Sequence, residues 1–440
     1  MNRSFPLPSN LKKARIPYVA VKLIMGCDTE KNWKGDERSV GIIGIGDTDV
    51  LHIDDFELAL RVSKKVSHEY FHTPNMKLMW NAEDVLKAHL KCSEVLNLLL
   101  SDNKKTRIIM LPADDSGCGY WRMIQPSQHF NTDKYEVVHS HDPVSYEELL
   151  NFDIIVLQRA IQWEQLYVVK RLRKAGRRVF YEIDDNIFQL PVNHKAFMVF
   201  NPDARHAAAS IMRECDGIIT TNQRMSAILE WTEHTFIYPN SIDLKEWEIK
   251  EPNKDIVRIL WAGGGSHISD FKTVSKPIEF ILKKYPKTVL TIIGQMPEHL
   301  MEVVRRNHGF EHRIEFQSMM RIESYIQFMK MIQADIGIAP LEISPFSDTK
   351  SNLKWIEMSA FGIPVIASRT PVYVENQKEG ETILLAGSQQ EWINHLELLI
   401  KNIDKRSSIV KAAREAIIDK YDVRKNVDQL SNFLASHHRN

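Results

Sequence analysis

KSNLKWIEMSAFGIPVIAS, residues 350–368, reads as a helix with charged groups at its start, a glycine stop and a buried strand. Lys350, Lys354 and Glu357 fall at spacings of four and three, so a helix would carry them on one stripe. Leu353, Ile356 and Ala360 mark the adjoining apolar stripe that would face a sheet. Gly362 suits the left-handed position that ends a helix, Pro364 forbids continuation, and Val365-Ile366-Ala367 begins a strand. Two cations and a carboxylate beside a buried face could grip a phosphorylated, hydroxyl-bearing ligand. A Lys354–Glu357 surface pair explains the same spacing and is the simpler reading of these residues alone.

Short apolar runs recur along the chain around this stretch. RIIML, EVVH, DIIVL, RVFYEI, GIIT and FIY follow Arg107, then RILWA, VLTIIG, RIEF, ADIGIAPL, PVIAS and TILLA follow Arg258. Continuous rather than alternating apolar strands, separated by helix-length segments, indicate parallel sheets covered on both faces. The polar segment EWEIKEPNKD, residues 246–255, reads as a linker between two α/β units that would face a cleft. The division expected is 1–105, an extension of unknown role; 106–250, the first Rossmann-like domain; 256–407, the second; and 408–440, a helical segment packing back across them.

Composition sets the outer limits. The 440 residues hold 57 basic and 57 acidic side chains, so no global field recruits nucleic acid or an acidic membrane. A hydrophobic content of 43% excludes wholesale disorder. Cys27, Cys92, Cys118 and Cys215 contain no CxxC pair, which suits a reducing compartment and argues against a zinc ribbon. The N-terminal MNRSFPLPSNLKKARIP lacks the apolar core of a signal peptide, and no apolar run approaches the ~20 residues of a spanning helix. The expected location is cytoplasmic, peripheral to a membrane at most. The basic run 170–178, from Lys170 to Arg178, is a solvated helix face or a contact for an anionic membrane or polyanionic acceptor.

Four constellations could carry chemistry. Trp261-Ala-Gly-Gly-Gly-Ser-His267 follows the first strand of the second unit, where Gly263, Gly264 and Gly265 would let backbone amides approach a phosphate or simply make a tight turn. His267 could donate to a phosphate oxygen. Ser116-Gly-Cys-Gly-Tyr-Trp-Arg122 follows the first strand of the first unit, placing Gly117, Gly119 and Arg122 at the rim where α/β proteins bind ligands. Glu182-Ile-Asp184-Asp185 ends RVFYEI, a position suited to general-base or metal chemistry, with Asp185 as a helix cap in the structural alternative. Asp47, Asp49, His52, Asp54 and Asp55 lack the offsets of a calcium loop and read as a solvated turn. Apolar pieces near 18–25 and 40–45 and helices near 56–66 and 82–100 complete the extension.

Taken together, the chain from about Arg107 onward resembles the retaining GT-B glycosyltransferases with two Rossmann-like domains, the glycosyl transferases group 1. The likeness rests on Glu357-Met-Ser-Ala-Phe-Gly-Ile-Pro-Val-Ile-Ala367, on ADIGIAPL, on IYPNSID (237–243) and on GCGYWRMIQP. It implies a nucleotide-diphosphate sugar as co-substrate, held mainly by the second domain, with no further cofactor and no metal. Glu357 would accept hydrogen bonds from ribose hydroxyls, and amides near Lys350 and Ser351 would receive the diphosphate. Lys350 or Lys354 would neutralise charge on the leaving group, and Asp184 would orient sugar or acceptor. Gly117, Gly119, Arg122 and Asp185 would lie on the acceptor side, against a glycan, lipid-linked or other hydroxyl acceptor.

The repeated layout disfavours the Asp-x-Asp metal motif of single-domain transferases. Two departures are notable. The family glutamate eight residues before Glu357 is Thr349 here, with Asp348 out of register, and the arginine and lysine that follow the glycine turn in many members are absent. A sugar-nucleotide epimerase, a catalytically silent scaffold, or transfer onto modified nucleic acid are the alternatives.

Overall fold

The computed structural model describes residues 105–246 and 256–436, except 193, 233 and 308, together with three short strands nearer the N-terminus. The chain divides into two compact units, residues 1–105 and 106–440. In the first unit β1 (Leu11–Arg15), β2 (Val40–Ile42) and β3 (Asp49–Ile53) form an antiparallel sheet in the order β1-β3-β2. Asp49 and His52 therefore belong to a strand, with His52 opposite Lys12 and Gly41, and not to a solvated turn. Asp47, Asp54, Asp55, the piece at 18–25 and the helices expected at 56–66 and 82–100 lie outside the described residues.

The second unit contains two six-stranded sheets, and every pairing in both is parallel. The first comprises β4 (Thr106–Leu111), β5 (Tyr135–His139), β6 (Ile154–Gln158), β7 (Arg178–Ile183), β8 (Gly217–Thr220) and β9 (Thr235–Ile237), ordered β5-β4-β6-β7-β8-β9. The second comprises β10 (Val257–Gly263), β11 (Thr288–Gly294), β12 (Ile314–Ser318), β13 (Ile336–Ala339), β14 (Val365–Ser368) and β15 (Leu384–Ala386), ordered β12-β11-β10-β13-β14-β15. β6, β8, β13 and β14 are buried along their whole length. Burial on both faces is why their sequences run apolar without alternation. These are two Rossmann-like domains. In each sheet the chain leaves the first strand toward opposite sides, which opens a crevice at the carboxyl ends of the strands. The segments that follow β4, β7, β10 and β13 emerge there.

The opening stretch folds as a helix, Leu353–Ala360, that ends in a Schellman motif. Gly362 has φ +75°, its N–H donates to Ser359 O at 3.0 Å, and the Ile363 N–H donates to Met358 O at 3.0 Å. Met358 and Ile363 then share the apolar core. The helix begins three residues later than its charge pattern suggests. Lys350 is extended, with its N–H bound to Ser347 O at 3.2 Å, so it projects from a loop and not from the Lys354–Glu357 helix.

The polypeptide passes between the two domains twice. Ile242 pairs with Asp422 in a parallel bridge, with Ile242 N–H to Tyr421 O at 2.9 Å and Val423 N–H to Ile242 O at 3.0 Å. Residue 407 is not a boundary, because the helix Ile403–Lys420 runs through it and packs Ala413 and Ile417 into the second domain. The next helix, Val423–Ser436, buries Val427, Leu430, Phe433 and Leu434 against the first sheet, where Phe433 stacks on Phe236 at 4.6 Å. Trp121 of the first domain is buried among the second domain's core residues, a further anchor between them.

The basic run 170–178 is not one solvated face. The helix Trp163–Lys174 stops before Gly176, and Arg178 already belongs to β7, where Nη1 donates to Leu434 O and Ala435 O. Arg173 pairs with Glu214 and Asp216, Arg177 with Asp153, and Arg171 lies over the Tyr146 ring. Lys170 and Lys174 remain exposed. Among the described residues no helix is long and apolar enough to cross a membrane.

Candidate functional site

A cavity opens where the crevices of the two sheets meet. The first domain lines it with Cys118, Trp121, Arg122, Asp184, Asp185 and Asn240; His267, Lys350, Ser351 and Lys354 stand among the second domain's contributions. The two lining carboxylates thus come from one domain, and three of the four basic side chains from the other. The fourth is Arg122. It is 1% exposed, its Nε donates to Glu182 Oε1 at 2.6 Å, and its Nη1 donates to Tyr238 O at 2.6 Å and to Asn240 Oδ1 at 3.2 Å. Burial pushes the Glu182 carboxyl upward, and Arg122 pulls against it. Nε and Nη1 are thus committed within the protein, whereas Nη2 is buried with no hydrogen-bond partner among the described residues. The turn that carries Arg122, Tyr120–Ile124, is widened to π-helical spacing, a distortion that recurs at functional sites.

Arg122 also acts at a distance. The Asn240 side chain whose oxygen it holds donates from Nδ2 to Ser351 Oγ at 2.7 Å. A second first-domain asparagine, Asn222, donates from Nδ2 to Thr349 O at 2.9 Å and Lys350 O at 3.1 Å. The segment 349–351 is therefore fixed from across the crevice. Thr349 is buried and its hydroxyl donates to Phe346 O at 2.9 Å, so it offers the cavity nothing, and Asp348 does not line it.

Lys350 is 7% exposed, with Nζ 4.8 Å above the Phe346 ring. Asp185 faces it. Burial raises the Asp185 carboxyl, while Lys350 lowers it. His267 holds Asp270 Oδ2 at 2.9 Å through Nδ1, and Asp270 Oδ1 in turn accepts the Glu342 N–H. A carboxylate only accepts, so Nδ1 carries the proton. Burial and Lys350 press the His267 pKa down, which leaves the ring neutral near pH 7 with Nε2 as an acceptor. That nitrogen suits a hydroxyl and not a phosphate oxygen, contrary to the expectation from sequence.

Asp184 is buried beside Arg159, whose Nε lies 3.7 Å from Oδ1 and whose Nη2 binds Asp114. Arg159 has φ +48°, a left-handed conformation that a non-glycine residue adopts at a cost and that clusters at functional sites. The Cys118 thiol is pushed up by burial and by Asp184. Among the described residues no group of three His, Cys, Asp or Glu side chains is placed to hold a metal ion.

Glu357 is neither exposed nor in the cavity wall. It is 2% exposed, and its Oε2 accepts from Lys354 Nζ at 2.8 Å, so the pair exists but is not a surface pair. Lys354, half-buried, stands between the carboxylate and the cavity. Burial and Glu357 raise the phenol of Tyr325 on the other side. The glycines also stand back from the cavity. A Cβ on Gly119 would lie 1.7 Å from Asp114 O, so glycine is needed there for close packing. A Cβ on Gly263 would meet the Trp261 ring at 2.5 Å, whereas Gly117 and Gly264 face open space.

Arg159, Asn222 and Asn240 escaped the sequence reading. Asn240 sits inside the quoted YPN segment, which signalled its place but not its contact. Nothing in DIIVLQR marks the strained conformation of Arg159.

Residues 276–432 match the family described as glycosyl transferase-like. No curated protein matches the chain. Among solved structures, HepE from Anabaena in complex with UDP is 16% identical with a TM-score of 0.56, covering 76% of this chain and 100% of HepE. Sucrose-phosphate synthase from Thermosynechococcus elongatus is 15% identical with a TM-score of 0.57, covering 75% and 98%. A glycosyltransferase from Rickettsia africae is 13% identical with a TM-score of 0.55, covering 76% and 98%. At such identities the likeness establishes the fold, two facing Rossmann-like domains of the GT-B type.

Proposed function

We propose that the protein transfers a sugar from a nucleotide-diphosphate donor to a hydroxyl of a glycan, lipid-linked or other acceptor, with retention and without a metal ion. The observation that carries this reading is the cavity itself. It sets Lys350 and Lys354 of a glycosyl transferase-like domain against Asp184 and Asp185 of the other domain. HepE has been seen with UDP and with UDP-glucose, which makes UDP the first nucleotide to test.

In this reading the donor diphosphate meets Lys350, whose burial strengthens its attraction for charge that develops on the leaving group. Lys354 turns from Glu357 toward the diphosphate, and Glu357 then accepts from the ribose hydroxyls. His267 Nε2 and Asp185 accept from hydroxyls of the transferred sugar. Arg159 holds Asp184 in place to orient sugar or acceptor. Lys170 and Lys174 remain available for peripheral contact with an anionic membrane that carries a lipid-linked acceptor.

The test is incubation of the full chain with UDP-sugars and an acceptor panel, followed by NMR of the product anomer. An α-linked product from an α-linked donor, formed equally in excess EDTA, is expected. Strict dependence on Mn²⁺ would instead assign the Asp184–Asp185 pair to a metal. An epimer formed from donor alone would replace transfer by epimerisation.

A further inference from the structure

We infer that the first domain completes the diphosphate site with His194 and Lys195, which reach across to the second domain's glycine turn. The inference rests on the reading of the cavity as a nucleotide-diphosphate site and names residues that nothing in the sequence pointed to.

Lys195 Nζ donates to Gln295 Oε1 at 2.9 Å. Gln295 follows β11, and its own N–H binds Gly263 O at 3.0 Å, so the lysine is seated against the turn 263–265. A Cβ on Gly265 would lie 2.8 Å from Gln295 Oε1 and 3.1–3.2 Å from Lys195 Cδ and Nζ, so the lysine side chain lies directly against this turn. The partner of the ammonium is a neutral amide. Among the described residues no carboxylate pairs with Lys195, so its charge is unspent beside a turn whose next position, Gly264, is open.

His194 adds a second, independent observation. Its Nδ1 accepts the Ala196 N–H at 3.2 Å, which places the proton of the neutral ring on Nε2. That Nε2–H is buried and has no hydrogen-bond partner among the described residues. Such a group is costly unless something it can donate to arrives. The ring lies edge-on to Phe346 at 5.0 Å, and Lys350 Nζ lies 4.8 Å from the centre of the same Phe346 ring. Burial and Lys350 keep the imidazole neutral, so it donates one hydrogen bond without adding charge.

An ammonium, a neutral N–H donor and the buried ammonium of Lys350 together suit a diphosphate. The loop before the glycine turn's helix lacks a cation of its own, since His267 Nε2 is an acceptor. With two contributors on the first domain, the diphosphate would also tie the domains together.

Calorimetric titration of the full chain with uridine and with UDP tests this. Lys195→Ala is expected to weaken UDP about tenfold or more and leave uridine unchanged, as befits one lost charge-assisted bond. Lys195→Arg should restore most of the loss. His194→Phe, which keeps the contact with Phe346, should weaken UDP in the same selective way. Gln295→Ala removes the hydrogen bond but keeps the ammonium, and is expected to hold UDP affinity within about twofold. UDP binding by Lys195→Ala equal to wild type overturns the inference and leaves the wider reading standing. Equal losses in Lys195→Ala and Gln295→Ala overturn it too, because the lysine is then only a tie between domains. A wild-type protein that binds neither UDP nor any other nucleoside diphosphate overturns the underlying reading.

Discussion

Lys350→Ala is expected to lower turnover about 10²–10³-fold while both sheets stay folded. Lys350 is the most buried of the second-domain cations that line the cavity, and nearly everything around it serves to hold it there. Asn222 binds its carbonyl, Ser347 O receives its N–H, and Phe346 lies under its ammonium. A charge fixed before the reaction needs no reorganisation when the leaving diphosphate gains charge, so its removal costs the transition state most. Lys350→Arg keeps the charge but changes its position, and should recover only part of the rate. The substitution has a second consequence. Lys350 is the strongest influence holding the Asp185 carboxyl down against burial. Its loss lets that pKa rise further, so the acid limb of the residual rate profile moves to higher pH. Steady-state kinetics over a pH series reads both effects, and wild-type kcat in a folded Lys350→Ala variant would remove the residue from the chemistry.

Arg122→Ala is expected to destabilise the second unit by about 3–5 kcal/mol, because it leaves the Glu182 carboxylate buried with no counter-charge. Both side chains are 1% exposed, and the same guanidinium satisfies Tyr238 O and Asn240 Oδ1. Replacing both members together, as Arg122→Met with Glu182→Leu, should cost less than the single change, since no charge is then stranded. Urea denaturation of wild type and the two variants gives the comparison. The double variant should nonetheless transfer sugar poorly. Asn240 loses the anchor that directs its amide to Ser351, so the loop carrying Lys350 is held less firmly. A double variant less stable than Arg122→Ala would show that packing of the π-helical turn, and not the stranded charge, dominates.

Much of the architecture was legible because burial on both faces of a parallel sheet leaves a mark that survives in sequence. RVFYEI and GIIT coincide with β7 and β8 residue for residue. The stop at Gly362 was equally plain, since a left-handed glycine before Ile-Pro has one structural use. Charges were harder to place. Lys350 shares a helical spacing with Lys354, but the turn 347–349 takes up its backbone and the helix starts only at Leu353. Spacing alone could not reveal this, because both readings put the lysine near the same end of the helix. Lys354 and Glu357 were paired correctly and exposed wrongly. Periodicity shows which stripe a residue occupies, not which neighbouring element covers it, and here Tyr325 lies alongside.

Contacts between the domains were the least legible. Asn222, Asn240, Lys195 and Trp121 act on residues between 100 and more than 200 positions away in the chain, and their own surroundings carry no pattern. The cavity chemistry depends on them all the same. A reading from one domain's motifs finds Lys350 and Asp184 but not what sets the distance between them.

Under the proposed function, Glu357 reads the ribose of a nucleoside diphosphate bound at this cavity. Titrating wild type and Glu357→Ala with UDP and with its 2′,3′-dideoxy analogue tests it in one double-mutant cycle. Wild type is expected to prefer UDP by about tenfold or more, and folded Glu357→Ala to bind both nucleotides alike, at the weaker level. A Glu357→Ala protein that still prefers UDP by the wild-type margin would contradict it.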